Sequence, residues 1–521
     1  MAQYTLTAAL NASTFPFVTR FQPRSVIIGT MDGRLRDPTS NPQNFLDNNP
    51  QNIPQVLYCE NVLPSTEGIR SVAFSNVQAA FPGAGVPDDV LILRTDTDTW
   101  YFSPSQGMNY VTPALGTPWV STNPLAGAPI AVEYKVSAAY VGGFTFICYW
   151  KPGTSTGIIL KWDGATFTDI TATFLGVTGS TIKAICNSGN YLIALSGTAI
   201  KWSSLTNPID FTIVAGSGAG SQIPIDVRGV AIALTQISGG FLIHCTENTV
   251  ASVYTQNAAA PWIFREVRNS GGLLSWNYLA RDTSAGVAYI FSSYGMQQQT
   301  LKEAENLHPI LTEFISSKIL ETFDSTTNLL SISRVAGIYI KVAFLGGRFL
   351  CVSYGTTAAA GPFNYVLIYD ITLRRWGKLK VDHYDMFQSA ETSPILVSPF
   401  DALFVLKTDG SVDQLVIDER IISTTTSVVI LGRYQLSRGN QLCSQELELE
   451  VLDSNQAPTV HVVTNYNGTT LGQAIQMTLY ESSDNYRHYQ KQIEGENLSY
   501  IIKGQFNLAT AILTFSKGGR M

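Results

Sequence analysis

The sequence predicts a mainly β protein: a β-propeller of about six or seven blades, an additional small β-sandwich or sheet domain, and one inserted helix. Three observations carry that prediction. A unit of two short apolar runs joined by a turn recurs along the middle of the chain. Charged residues make up only 14% of the 521 residues, whereas 42 are glycine and 11% are aromatic. One stretch then departs from strand alternation and takes a helical period. So little charge excludes long solvated helices and polyelectrolyte segments and favours a β-rich core.

From the N-terminus, Tyr4 to Leu10 reads as a strand. Gly29 to Pro54, rich in Asp, Asn, Pro and Gln, reads as an extended arm or a long ordered loop. Residues 1–54 are expected to pack with the C-terminal domain. Residues 55–423 are expected to form the propeller, with copies of the unit beginning at Asp88, Gly142, Asn190, Gly239, Gly286, Gly346 and Phe400. These starts lie about 47 to 60 residues apart, the range of a four-stranded blade. A second strand follows in most copies, as in Gly157-Ile-Ile-Leu-Lys-Trp, Ala199-Ile-Lys-Trp, Val250-Ala-Ser-Val-Tyr, Tyr365-Val-Leu-Ile-Tyr-Asp and Ser411-Val-Asp-Gln-Leu. The intervening turns use Pro-Gly, Ser-Gly, Glu-Asn or Asp-Gly, residues that tolerate the positive φ of tight hairpins.

Phe167, Phe211, Phe264 and Trp376 close a third segment and are expected between neighbouring blades. Cys148 and Cys245 share one offset from the pairs Gly142-Gly143 and Gly239-Gly240, which predicts equivalent strand positions for two small core residues. Cys351 sits one residue nearer its pair. Within Thr300 to Phe323, apolar residues at Leu307, Ile310, Leu311, Phe314, Ile315 and Ile319 match a helical face, with Pro309 kinking it or starting its second half. After about Ile422 the repeat stops. Ser427–Leu431, Glu446–Leu452, Thr459–Val463, Tyr500–Ile502 and Ala509–Phe515 read as strands of a C-terminal β domain over 424–521, with a turn at Asn467-Gly468.

Thirty-nine acidic against 33 basic side chains leave a net charge of −6, which offers no global attraction for nucleic acid phosphates. The N-terminus lacks the basic region and apolar run of a secretory signal. The most apolar stretch, Val227 to Cys245, is broken by Arg228, Gln236, Ser238, Gly239 and Gly240, so no membrane span is expected and synthesis is placed in a cytoplasm. Six cysteines without a CxxC are too sparse for a disulfide scaffold or a structural zinc site and are read as reduced and mostly buried.

No motif for nucleophilic catalysis or phosphate binding is present. The five histidines, His244, His308, His383, His461 and His488, stand apart without metal-ligand spacing. No catalytic, cofactor-binding or metal-ligating residue is assigned, and the chain is read as a non-enzyme. The alternative is a receptor-binding or glycan-cleaving propeller of sialidase type, because glycoside cleavage needs little beyond two placed acids. Thr95-Asp96-Thr97-Asp98-Thr99-Trp100 echoes the sialidase Asp-box turn but lacks its glycine. Trp100, Trp119, Trp150, Trp162 and Trp202 are the candidates for stacking on sugars.

Three phrases together carry a resemblance. Val56-Leu-Tyr-Cys-Glu-Asn-Val-Leu-Pro-Ser-Thr-Glu-Gly-Ile-Arg-Ser-Val, Ile200-Lys-Trp-Ser-Ser-Leu-Thr-Asn-Pro-Ile-Asp-Phe-Thr and Tyr365-Val-Leu-Ile-Tyr-Asp-Ile-Thr-Leu-Arg-Arg-Trp-Gly-Lys-Leu resemble the nozzle or tail-hub proteins of short-tailed bacteriophages, also called packaged-DNA stabilisation proteins. The resemblance covers roughly residues 50–420. It implies a virion structural protein of the phage tail, made in the bacterial host, with six copies in a ring beneath the portal and adaptor. The implied partners are the head-to-tail adaptor, tail fibre or tailspike and tail-tip proteins, and passing genomic DNA held without sequence-specific contacts. Six copies would multiply the −6 charge sixfold, favouring a channel that lets DNA slide. A ring needs two different matching faces on each copy. The domain at 424–521, with the strand Tyr4 to Leu10, is expected to build the ring platform, with the propeller below or outside it.

Overall fold

The computed structural model describes most of residues 58–78, 135–150, 157–308, 319–388, 403–416 and 425–520. It also gives the backbone pairing of strands at 3–9, 26–27, 91–94, 99–103, 107–110 and 120–121. Five sheets are self-contained antiparallel meanders of four consecutive strands, spanning 91–121, 135–169, 182–222, 231–266 and 279–308. Two further four-stranded units lie inside a larger sheet and share one long strand, Arg375–Gln388. Its first part pairs with Phe363–Asp370 and completes the unit begun at Tyr339. From His383 onward it pairs instead with Leu403–Lys407 and opens the last unit. That last unit is completed by Ala73–Gln78, a strand that precedes all the others of the repeat, paired with Val412–Val416.

The first strands of successive units are spatial neighbours. The circuit runs from Leu91–Arg94 through Lys135–Val141, Ile182–Ser188, Ala231–Ile237, Leu279–Asp282 and Tyr339–Leu345 to Arg375–Gln388, and back to Leu91–Arg94. This is the closed circuit of a β-propeller, with the early strand at 73–78 locking the end of the chain to its beginning. Six of the seven starts read in the sequence fall on or just before the second strand of a unit. The start at Asp88 falls one strand earlier, on the first strand of its unit, Leu91–Arg94.

Among the described residues, second strands such as Tyr191–Ser196 and Phe349–Gly355 are buried on both faces because each is flanked by strands of its own unit and covered by the units on either side. Gly240–Cys245 and Val287–Ser292 are buried at every position. Burial on both faces explains why these segments read as continuous apolar runs and not as alternation. Faces still matter for the contacts. Phe146 and Cys148 pack forward onto Leu192 and Ala194 of the next unit, whereas Phe241, Ile243 and Cys245 pack backward onto Tyr191, Ile193 and Leu195.

The expected equivalence of Cys148 and Cys245 is therefore corrected. Gly142 and Gly143 are both turn residues, at φ +61° and +83°, between Val141 and Phe144. In the unit at 231–266 the turn is Ser238-Gly239, and Gly240 already belongs to the strand. A Cβ at Gly240 would lie 1.9 Å from the Ser252 carbonyl oxygen, so this glycine is required by close packing and not by the turn. The one-residue slip turns Cys245 to the opposite face from Cys148.

The helix expected over Thr300 to Phe323 is contradicted at both of its ends. Ala304–His308 is the fourth strand of its unit and Ile319–Asp324 starts a hairpin with Leu329–Arg334. The residues between, Pro309 included, lie outside the described residues. Phe323 and Leu330 of that hairpin bury against Tyr58, Val428, Ile430, Val463 and Ile501. Among the described residues there is no α-helix.

The C-terminal strands form two facing sheets. One is Thr478–Ser482, Tyr486–Gly495, Asn440–Val451 and Asn507–Arg520, to which the N-terminal strand Gln3–Ala9 adds along 510–516. The other centres on Ser427–Gln435, Asn497–Gly504 and Thr459–Thr464 and takes in Tyr58–Glu60 and Val26–Ile27. Leu447, Leu449, Leu513, Val460, Val462, Tyr500 and Ile502 meet in the core between them, which makes a sandwich. Residues 58–60, placed in the propeller by the boundary expected at 55, pair with the sandwich instead. Gly29–Pro54 and Asn467-Gly468 lie outside the described residues.

Propeller and sandwich share a sheet. Val62–Pro64 and Ile69–Ser71 form a small hairpin that pairs on one side with Lys378 of the long strand and on the other with Asn507 and Leu508. Asn61 stands at the join with φ +57°, a backbone that Asn tolerates better than most residues. Its side chain donates to the Thr426 carbonyl and accepts the Lys380 N–H, at 3.3 and 3.0 Å. Lys378 is buried with its ammonium 4.1 Å from the Tyr58 ring and 4.8 Å from the Tyr365 ring. Lys503 of the sandwich donates to Ser325 O and Asn328 Oδ1 in the turn joining Ile319–Asp324 to Leu329–Arg334, at 2.6 and 2.9 Å.

Candidate functional site

Two places in the propeller carry geometry that bears on function: the circuit of first strands around the axis, and a cleft at its turn-bearing end. Side chains stitch the circuit across unit boundaries. Ser137 Oγ accepts the Ile185 N–H at 2.9 Å, Arg281 donates to Gln236 Oε1 at 3.4 Å, and Lys341 donates to Asp385 Oδ2 at 2.6 Å. Arg281 and Gln236 each lie one residue before the end of their strands, so they form one level of the wall. Lys183 holds its ammonium 5.8 Å from the Trp150 ring of the preceding unit.

Among the described residues of these first strands, Lys183, Arg281, Lys341, Lys378 and Lys380 stand against Asp282, Asp382 and Asp385. The acidity of the chain is therefore not carried here, and the expectation of a repelling wall finds no support in these residues. Acidic residues gather instead on the sandwich. Glu446, Glu448 and Glu450 alternate with buried Leu447 and Leu449, and His488 lies 3.0 and 3.5 Å from the first two carboxylates.

The cleft, about 450 Å³, lies between the turns of two adjacent units. Ser188 and Gly189 line one side, and Gln236, Ser238 and Gly239 line the other. Tyr254 at its edge is 43% exposed. Tyr254 leans on Trp262 at 5.1 Å and on Tyr191 at 6.4 Å, and burial raises the Tyr191 hydroxyl, helped by Tyr254. Among the described residues, no carboxylate or imidazole lines this cleft. It can offer a ring face and short hydrogen-bonding groups, without an acid–base pair.

The residues singled out in the sequence do not converge. Trp150 and Trp202 are buried, and the Trp202 indole N–H donates to Gly218 O at 3.0 Å, so neither presents a face to a sugar. Trp119 and the segment Thr95–Asp98 lie outside the described residues, as do the side chains of Trp100, Trp162 and His308.

The remaining histidines are separate. His244 is buried and bonded to Thr235 at 3.0 Å, and burial lowers it to about 3. His383 is buried, with Nδ1–H donating to Val381 O and Nε2 accepting from Ser353, both at 2.8 Å. Burial lowers it to about 4, the Val381 bond working the other way. His461 is half-buried and lowered by burial and by Lys503. Among the described residues no three His, Cys, Asp or Glu side chains gather as a metal would need, and no helix is long and apolar enough to cross a membrane. The cleft was not legible in the sequence, because its lining comes from turns and strand ends of two different units.

No protein-family pattern matches the chain, and no curated protein matches it by sequence. Solved structures similar to it include YCF48 from Cyanidioschyzon merolae, at 12% identity and a TM-score of 0.38 over 66% of this chain and 99% of that one. An exo-β-1,3-galactanase from Phanerochaete chrysosporium is similar at 10% identity and a TM-score of 0.26, over 84% of this chain and 100% of that one. Hydrazine synthase from Kuenenia stuttgartiensis is similar at 10% identity and a TM-score of 0.34, over 66% and 99%. Two of these are enzymes by their names; likeness at this level assigns no activity to this chain.

Proposed function

We propose that this chain is a structural protein of a short-tailed bacteriophage tail, a nozzle or tail-hub subunit without enzymatic activity. It acts as one of six copies in a ring beneath the portal and adaptor, retaining packaged DNA and conducting it during ejection. Its partners are other copies of itself, the head-to-tail adaptor, tail fibre or tailspike and tail-tip proteins, and the passing genome, and its place is the virion. The resemblance of the segments at 56–72, 200–212 and 365–379 suggests the family.

The single observation that carries the reading is the welding of propeller to sandwich through one continuous sheet, Lys378 to Val62 and Ile69 to Leu508. A body joined by backbone hydrogen bonds and the buried Lys378 transmits load between a ring platform and a suspended propeller without a hinge. The paired state of Lys341 and Arg281 also suits a conduit, because cations already bonded to the wall grip phosphates less.

The test is electron microscopy of adaptor-capped phage heads incubated with the purified full chain, together with its mass in solution. A ring of copies at the tail axis is the expected result. A monomer that never docks overturns the reading. The second reading, a receptor-binding or glycan-cleaving propeller, is favoured by exposed Tyr254 at the cleft, since aromatic faces stack on sugars. Sialyl and other aryl glycosides discriminate the cleaving form: the structural reading expects no turnover, and turnover lost on mutating acids would favour the alternative. Glycan affinity abolished by Tyr254→Ala, with no turnover, would favour the receptor-binding form.

A further inference from the structure

The sandwich sheet ends in two strands that hydrogen-bond on one side only among the described residues. At one edge Thr478–Ser482 pairs with Tyr486–Gly495 alone, and all five of its residues are exposed. At the other edge the N-terminal strand Gln3–Ala9 pairs with Asn507–Arg520 alone. An open edge is a template for another strand, and soluble proteins usually guard it with lysine, proline or a covering segment. Neither strand contains Lys, Arg or Pro, and the first is guarded only by Glu481 and a bulge at Tyr480. Leu479 and Tyr480 are instead 39% and 50% exposed on the first.

Every pairing from one edge to the other is antiparallel, through Asn507–Arg520, Asn440–Val451 and Tyr486–Gly495. Four antiparallel steps leave the two edge strands running in the same direction. In register, Tyr4, Leu6 and Ala8 stand opposite Phe515, Leu513 and Ala511, and Leu479 stands opposite Tyr489.

We infer that the edge Thr478–Ser482 of one copy pairs in parallel with the edge Gln3–Ala9 of the next, continuing the sandwich sheet head to tail through the assembly. Charge selects this over the two-fold alternative. Two Thr478–Ser482 edges brought together would set Glu481 near its own copy, beside the row Glu446 and Glu448 on each side, and like charges across strands destabilise pairing. The strand Gln3–Ala9 carries no charge. A contact of two unlike edges propagates, as a ring requires, whereas a two-fold contact stops at two copies. The inference rests on the ring reading above and names the contact that builds it.

The test uses full-length chains that each lose one edge, with mass measured by light scattering and fold checked by circular dichroism. Tyr480→Pro blocks the first edge; Tyr480 has no partner in the register with Tyr486–Gly495, so the internal ladder is spared. Thr5→Glu with Thr7→Glu places acids on the second edge against Glu481. Wild type is expected to assemble beyond two copies, each variant alone to run as a single copy, and an equal mixture to form a dimer and nothing larger, because one competent edge of each kind remains. A variant that loses its circular dichroism is replaced by Ser482→Pro or by Thr7→Glu alone. Wild type that assembles while both folded variants assemble equally overturns the edge contact and leaves the ring reading standing. Wild type that stays a single copy at every concentration reached overturns both.

Discussion

The unit at 231–266 and the unit begun at Tyr339 have the same four-stranded plan and opposite dependence on the rest of the chain. In the first, all pairing is local, and Phe241, Ile243, Cys245 and Val250 share a cluster with side chains of the preceding unit alone. In the second, Val342, Leu350, Val352, Leu367 and Trp376 belong to one cluster with Val62, Ile69, Leu449 and Leu513, so its interior is continuous with the sandwich. The difference teaches where cooperativity lies. A unit closed on itself exchanges energy with its neighbours, whereas the welded unit fixes residues from both ends of the chain.

The largest effect expected follows from that contrast. Trp376 is 1% exposed and packs 4.7 Å from the Tyr369 ring, at the weld. Phe264 ends the corresponding segment of the local unit, half-buried and 6.3 Å from Phe241. Trp376→Ala is expected to cost about 3–5 kcal/mol, and Phe264→Ala less than half of that, since less apolar surface leaves water and solvent can fill the gap. Denaturant unfolding followed by sandwich and propeller probes checks both: Trp376→Ala should shift the two probes together and Phe264→Ala mainly the propeller probe. Equal costs would erase the distinction between welded and local units.

Acid gives the next largest effect. His244 in the local unit and His383 in the shared strand are lowered by burial to about 3 and about 4, against an ordinary value near 6.5. Below about pH 6.5 the unfolded chain binds protons that the folded chain refuses, so stability falls as pH drops from there toward those folded values and is complete above pH 6.5. Each histidine contributes at most about 1.4 kcal/mol per pH unit in that window. His383 keeps a Val381 carbonyl that favours its charged form and Asp385 nearby, so its slope levels off at a higher pH than that of His244. His244→Gln should flatten the acid side of the unfolding curve more than His383→Gln does below pH 4. A curve unchanged by either substitution would mean that carboxylates alone govern acid unfolding.

What the sequence made legible follows the same division. Local hairpins declared themselves because Gly142-Gly143 needs positive φ and because second strands such as Gly240–Cys245 are apolar throughout. The weld did not. Val62–Pro64 and Ile69–Ser71 are three residues each, too short for a period, and their partners lie more than 300 residues away. The spacing of Leu307 to Ile319 imitated a helix although Leu307 lies on a strand and Ile319 opens a hairpin; Ile310, Leu311, Phe314 and Ile315 lie outside the described residues. At the candidate site, the cation–carboxylate pair of Lys341 and Asp385 was invisible for the same reason: each residue sits on a strand whose neighbour is set by closure of the whole ring.

The smallest effect concerns the thiols, and it sharpens the comparison without perturbing the fold. Cys148, Cys186 and Cys245 lie in the local units, Cys59 and Cys351 lie by the weld, and all five are buried, whereas Cys443 of the sandwich is only half-buried. Burial raises Cys148 and Cys245 to about 12 and raises Cys186 as well, so little thiolate forms at pH 8 even where a reagent could reach them. A thiol reagent at pH 8 should therefore label Cys443 within the native state and the others only through opening. If units open locally, Cys148, Cys186 and Cys245 should label before Cys59 and Cys351, read by peptide mass spectrometry over time. Labelling of all five at one rate would mean that the propeller opens only with the sandwich, making the weld the cooperative unit of the whole chain.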